Sequence, residues 1–124
     1  MYSQKACSRV ENISKKIDFI QNIVHEKGSV SVALEDEQSA RAAILMHLIA
    51  IAEQFDKLLH SGELEILQHF DKQDIKGSYE LRNFIAHDYE GIDFCIVEEV
   101  IKERLPLIAK GAEEALSCDC DFLH

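Results

Sequence analysis

The chain has 124 residues, 47% of them hydrophobic, with 13 Lys and Arg against 23 Asp and Glu, a formal charge of −10. That length suits one compact domain burying roughly two-thirds of the surface its unfolded form exposes. The charge excludes a generic nucleic-acid coat and attraction to anionic lipid, both of which need clustered cations, so any RNA has to meet a local basic spot, for which Arg82, Lys76 and Arg41 are the candidates.

Val10, Ile13, Ile17, Ile20 and Val24 step by three and four, which predicts an amphipathic helix over about 6–26, ending at Gly28-Ser29. Val30 to Leu34 reads as a short connector. A longer second helix opens on Glu35-Asp36-Glu37, acidic residues that complement the positive end of the helix dipole, and continues through Ile44, Leu48, Ile51, Phe55 and Leu58 to Ser61-Gly62. Its second apolar set, Leu45, Met46, Ile49 and Ala52, predicts burial on more than one side, as a central bundle helix or a homodimer seam.

Residues 63–73 read as a short helical turn around Ile66, Leu67 and Phe70 followed by a polar link, and a third helix is expected over about 78–89, ended by Gly91. Asp93 is the expected N-cap of a fourth, with a stripe of Ile96, Val97, Val100, Ile101, Leu105 and Ile108. Pro106 lies inside that stripe and should kink the helix there rather than end it, because the apolar spacing resumes at Leu107 and Ile108. There is no strand-like alternation, so the expected fold is all-α, a bundle of four to five helices in one domain spanning 1–124, with its core at about 9–110 and a tail at 111–124.

The longest apolar run, Ala42 to Ala52, is broken by His47 and too short to span a bilayer, and the N-terminal residues have no signal-peptide core; the chain reads as cytoplasmic. Cys7, Cys95, Cys118 and Cys120 are irregularly spaced and read as free thiols. The closing stretch Cys118-Asp119-Cys120-Asp121-Phe122-Leu123-His124 carries metal-ligand types, but a closed zinc site needs four ligands at workable spacing and a frayed terminus holds none of them in place, so the role of Cys118 and Cys120 stays open. No metal-ligand spacing such as H-E-x-x-H and no phosphate-cradling glycine loop occurs, so no metal or cofactor is expected. His25, His60 and His69 read as solvated, and His47 as an interface residue.

The chemistry concentrates at Leu81-Arg82-Asn83-Phe84-Ile85-Ala86-His87-Asp88-Tyr89, an R-x-x-x-x-H-x-Y arrangement. Arg82 can hold a phosphate through its planar fork, His87 can take or give a proton at neutral pH, and Tyr89 offers a hydroxyl two residues away. Singly, each has a plainer reading: His87 as a helix-end cap, Arg82 as an ion pair with Glu53 or Glu80, Tyr89 as a half-buried packing residue. On a straight helix Arg82 and Tyr89 lie within about 20° of one face while His87 sits about 140° from Arg82. Convergence then needs the helix to loosen at His87-Asp88, the arginine to reach around, or a second subunit to complete the site.

This motif, with Gly91-Ile92-Asp93 after it and Leu34 to Arg41 leading into Ile49-Ala50-Ile51-Ala52-Glu53 upstream, resembles the HepT-like (minimal HEPN) toxin family of HEPN/MNT toxin–antitoxin pairs. The resemblance runs over about 9–110 and places the family's arginine on Arg82, its histidine on His87, its tyrosine on Tyr89 and the adjoining polar position on Asn83. It implies a homodimeric helical bundle with two motifs facing a shared cleft and metal-independent endoribonuclease toxicity. The implied partner is a minimal nucleotidyltransferase antitoxin that silences the toxin by transferring AMP to Tyr89. Arg82 and His87 would be catalytic, Asn83 and Tyr89 supporting, and the RNA would be cut by attack of its own 2′-OH. Many relatives carry a tryptophan before the motif arginine, where this chain has Ile75-Lys76-Gly77-Ser78-Tyr79. A non-catalytic HEPN subunit that binds a nucleotide or presents substrate to the nucleotidyltransferase is the alternative, favoured by the −10 charge; a phosphorelay histidine would need a mid-helix position, which His87 lacks.

Overall fold

The computed structural model describes residues 2–120 and is all-helical there, with no strand among the described residues. Helix α1 spans Gln4–Lys27, α2 Val30–Glu35, α3 Ala40–His60, α4 Lys72–His87, α5 Phe94–Glu99 and α6 Leu105–Asp119. Turns of 3₁₀ helix at Ile66–His69 and Tyr89–Gly91 flank α4, and a π-helical turn, Val100–Arg104, joins α5 to α6. Helix α3 lies at the centre, packed on α1, α2 and α4, while α1 also meets α6.

The spacing in α1 does what it promised. Val10, Ile13, Ile17 and Ile20 are buried, and the helix stops where Gly28 takes a left-handed φ of 96° and its N–H closes onto the Val24 and His25 carbonyls. Val30–Glu35 is a helix rather than a connector, because the Ser29 hydroxyl accepts the Val32 N–H and Val30, Ala33 and Leu34 are buried. The acidic triplet does not open α3. Asp36 lies before the helix, and its carboxylate takes the Ser39 hydroxyl, the Ala40 N–H and Lys27 Nζ, contacts that hold it far below the usual carboxylate range.

Helix α3 is buried on two sides, with Ile44, Leu48, Ile51, Phe55 and Leu58 joined by Leu45 and Ala52; Met46, expected among them, is 64% exposed. The stripe beyond Asp93 holds except at Ile96, which is 51% exposed. The helix runs on through Pro106 as expected, and a π turn, in which the Leu105 N–H reaches back to the Val100 carbonyl, precedes it. Helix α6 continues past residue 110, with Ala112 and Ala115 fully buried.

Two further expectations are corrected. Cys7 and Cys120 form a disulfide that ties α1 to the end of α6, leaving only Cys95 and Cys118 free among the described residues, because folding brings the ends of the chain together in a way that spacing cannot show. His69 is not solvated: Nε2 pairs with the Tyr2 hydroxyl at 2.8 Å, and Nδ1 lies 4.0 Å from Glu114. His47 is half-buried against the Phe19 ring of α1.

Candidate functional site

Helix α4 carries the motif and starts earlier than its sequence promised. The Asp71 carboxylate caps it by accepting the Gln73 N–H at 2.8 Å, so the polar stretch 72–77 is helix. Asp74, on the first turn, is buried because Arg104 of the π turn donates to it at 2.6 Å and lies 3.7 Å from Asp71. Ile85, also buried, pins the other end. These anchors fix the inner face of α4 and leave Lys72, Lys76, Tyr79 and His87 exposed, with Arg82 and Asn83 half-buried beside them.

The α-helix ends at His87 and not at Gly91. Asp88 leaves helical geometry at φ −148°, ψ 61°, while its N–H still reaches the Phe84 carbonyl. Tyr89 opens the following 3₁₀ turn, so the straight-helix angle between Arg82 and Tyr89 no longer applies. The loosening at His87-Asp88 takes Tyr89 off the regular helix, while Arg82 and His87 both stay on it and keep their separation of about 140°. A Cβ on Gly91 would press into the Asp88 carboxylate, and glycine there permits the tight turn.

The plainer roles of Arg82 and His87 are not formed among the described residues. Arg82 makes no ion pair with Glu53 or Glu80 among the described residues; its guanidinium lies over the Tyr79 ring, 4.9 Å from the centroid, with its N–H donors free of any carboxylate. His87 caps nothing, and neither it nor Asn83 or Tyr89 has a side-chain hydrogen bond among the described residues. Tyr89 is 44% exposed, close to the half-buried state expected of it singly, with its hydroxyl in no side-chain hydrogen bond among the described residues. Arg41 is no candidate for phosphate: Nε donates to the Leu34 carbonyl at 2.6 Å, Nη1 pairs with Glu37 at 3.2 Å, and the guanidinium covers Phe94. Lys76 remains exposed and without an ion pair among the described residues.

Sequence reasoning missed Tyr79, although its i, i+3 spacing to Arg82 could have revealed the stacked pair. It also missed Arg104, whose partner is thirty residues away. Beside the motif an apolar groove of about 430 Å³ runs between α4 and α5, floored by Leu48 and Ile51 and rimmed by Phe84 and Ile96, which are 59% and 51% exposed. Among the described residues no group of three or more His, Cys, Asp and Glu side chains is placed to hold a metal ion, and no helix is long and apolar enough to cross a membrane.

The arrangement offers a guanidinium, an exposed imidazole and an exposed phenol along the last turns of one helix and the turn that follows it. A family model described as Ribonuclease HepT-like matches residues 8–115. No curated protein and no solved structure matches the chain.

Proposed function

The chain belongs to the Ribonuclease HepT-like family, and from that premise we propose that it is a metal-independent endoribonuclease, the toxin of a toxin–antitoxin pair, cutting RNA at Arg82, Asn83, His87 and Tyr89. The observation that carries the reading is the state of these side chains. Among the described residues Arg82 is stacked on an aromatic ring with no carboxylate paired to it, and His87 and Tyr89 stand exposed at the end of the helix without a side-chain hydrogen bond.

In this reaction His87 takes the proton from the ribose 2′-OH, and the 2′ oxygen attacks the adjacent phosphorus. The bond from phosphorus to the 5′ oxygen breaks, and that oxygen receives a proton from the protonated His87 of a second copy. Arg82 stabilises the charge that builds on the phosphoryl oxygens, Asn83 orients them, and Tyr89 donates a hydrogen bond to the phosphate. The products are a 2′,3′-cyclic phosphate and a 5′-hydroxyl, and DNA, lacking the 2′-OH, is not cut.

A homodimer supplies the second histidine. The groove between α4 and α5, with Phe84 and Ile96 uncovered at its rim, is an apolar face of the kind a self-complementary contact buries. For silencing, a minimal nucleotidyltransferase antitoxin transfers AMP from ATP to the exposed Tyr89 hydroxyl: the phenolic oxygen loses its proton and bonds to the α-phosphorus, the α–β phosphoanhydride bond breaks, pyrophosphate leaves, and the added anion cancels the field of Arg82. The acidic remainder of the chain would draw a basic partner surface.

A non-catalytic nucleotide-binding subunit is the second reading. It is favoured by the lack of any group orienting the His87 ring among the described residues and by the −10 charge. Incubating an RNA pool in EDTA with wild type and His87→Ala, followed by end-group analysis, separates the two. The nuclease reading expects cyclic-phosphate ends from wild type alone; intact RNA with unmodified Tyr89, checked by intact mass, leaves the binding subunit.

A further inference from the structure

On the other side of α4 a second cavity, of about 920 Å³, opens between the latter half of α3, the 3₁₀ turn Ile66–His69 and the first half of α4. Its floor is aromatic and aliphatic, with Phe55 and Phe70 edge to face at 5.0 Å and Leu59 and Leu64 exposed at its lip. Its α4 wall differs in character: apart from the apolar Ile75 it consists of Lys72, Lys76 and Tyr79.

Those three residues and Asn83 follow one another at steps of four, three and four, which keeps them within a sector of about 60° on a helix turning 100° per residue. His87 lies four residues further on, so the track from Lys72 to His87 runs about 22 Å. Lys72 and Lys76 are exposed and make no ion pair among the described residues, in a chain with ten more acidic than basic side chains. Tyr79 belongs to both ends of this track, since its ring walls the cavity and also carries the Arg82 guanidinium. Unquenched cations alternating with a half-exposed aromatic ring beside an apolar hollow match the chemistry of a single-stranded nucleic acid, whose phosphates need positive charge and whose unstacked bases need a flat apolar partner.

We propose that this cavity is a base-binding subsite for single-stranded RNA, in which a base stacks against Tyr79 while Lys72 and Lys76 hold the flanking phosphates and lead the strand to His87. The subsite rests on the ribonuclease reading and names how that site grips its substrate away from the cut. Gln68 and His60 at the rim, the latter paired with Asp56 at 3.2 Å, offer polar contacts to the edge of the base.

The test measures binding, so that it stands apart from catalysis. A fluorescein-labelled single-stranded RNA is titrated by anisotropy into the full chain carrying His87→Ala, at several salt concentrations. Adding Tyr79→Ala should weaken binding roughly 5- to 150-fold, the span of one base–aromatic stack, while Tyr79→Phe keeps the ring and the affinity. Adding Lys72→Ala and Lys76→Ala together should reduce the slope of log affinity against log salt by about 1.4, two phosphates' worth for a single strand. Lys15→Ala on α1, already paired with Glu11, should change neither. The proposal is overturned if the RNA does not bind, or if it binds with an affinity and slope that the Tyr79 and lysine substitutions leave unchanged. Wild-type cleavage with unaltered binding in these variants would sink the subsite and spare the nuclease. Binding that depends on them, without cleavage, would do the reverse.

Discussion

Gly77 and Gly111 both sit inside helices, and replacing each by alanine should move stability in opposite directions. In either place alanine relieves the conformational freedom that glycine loses on folding, a gain of about 0.5–1 kcal/mol. At Gly77 a Cβ meets nothing within 4 Å, so the gain is uncancelled. At Gly111 the Cβ would lie 2.5 Å from the His69 carbonyl oxygen and 3.0 and 3.2 Å from the Phe70 ring. The first of these is backbone in the 3₁₀ turn, and the second stacks edge to face on Phe55, one of the largest fully buried side chains. Neither can step aside cheaply, so overpacking should cost about 1–3 kcal/mol, and Gly111→Ala should fall below Gly77→Ala by that amount. Urea denaturation followed by circular dichroism gives both midpoints in one experiment. If Gly111→Ala is as stable as Gly77→Ala, the close approach of α6 to the 3₁₀ turn is refuted.

Other consequences can be checked in the same way. The Cys7–Cys120 bridge closes a loop with a sequence separation of 113, for which chain entropy gives about 4–5 kcal/mol; Cys120→Ser should lower the urea midpoint, and the denatured, unreduced wild type should titrate as two thiols rather than four. Burial, then the nearby Lys16 charge, lowers the pKa of His47 from 6.5. The unfolded chain therefore binds this proton first, so stability is full above about pH 6.5 and declines as the pH falls toward the lowered folded value. His47→Gln should flatten that part of the midpoint-against-pH curve, and an unchanged slope would remove His47 as its source. Arg104→Met strands the buried Asp74 carboxylate and should destabilise the fold, with part of the loss recovered by adding Asp74→Asn, as a double-mutant cycle would read.

What the sequence revealed and what it hid divide along chain separation. The α1 stripe, the two-sided burial of α3, the Asp93 cap and the passage of a helix through Pro106 are all decided by neighbours within a turn or two, and all were legible. The first turn and a half of α4 was not, because a polar stretch with Gly77 in it looks like a link until Arg104 arrives from thirty residues away to bury Asp74. Arg41 looked like a free cation because Leu34 and Phe94, the partners that occupy it, lie in other elements. The disulfide joins the two ends of the chain, beyond the reach of any periodicity. At the candidate site the residue types were readable from the motif, whereas the break of the helix after His87 and the stacking of Arg82 on Tyr79 needed the fold.

The central claim is that the RNA's own 2′-OH is the nucleophile and that His87 moves its proton. The most direct measurement takes one oligoribonucleotide, maps its cut in EDTA, and repeats the digestion with a single deoxyribonucleotide placed 5′ to the scissile phosphate. The account predicts that the substituted strand stays whole at that position while the unsubstituted one yields a cyclic phosphate there. Cleavage of the deoxy-substituted strand at the same bond would contradict it.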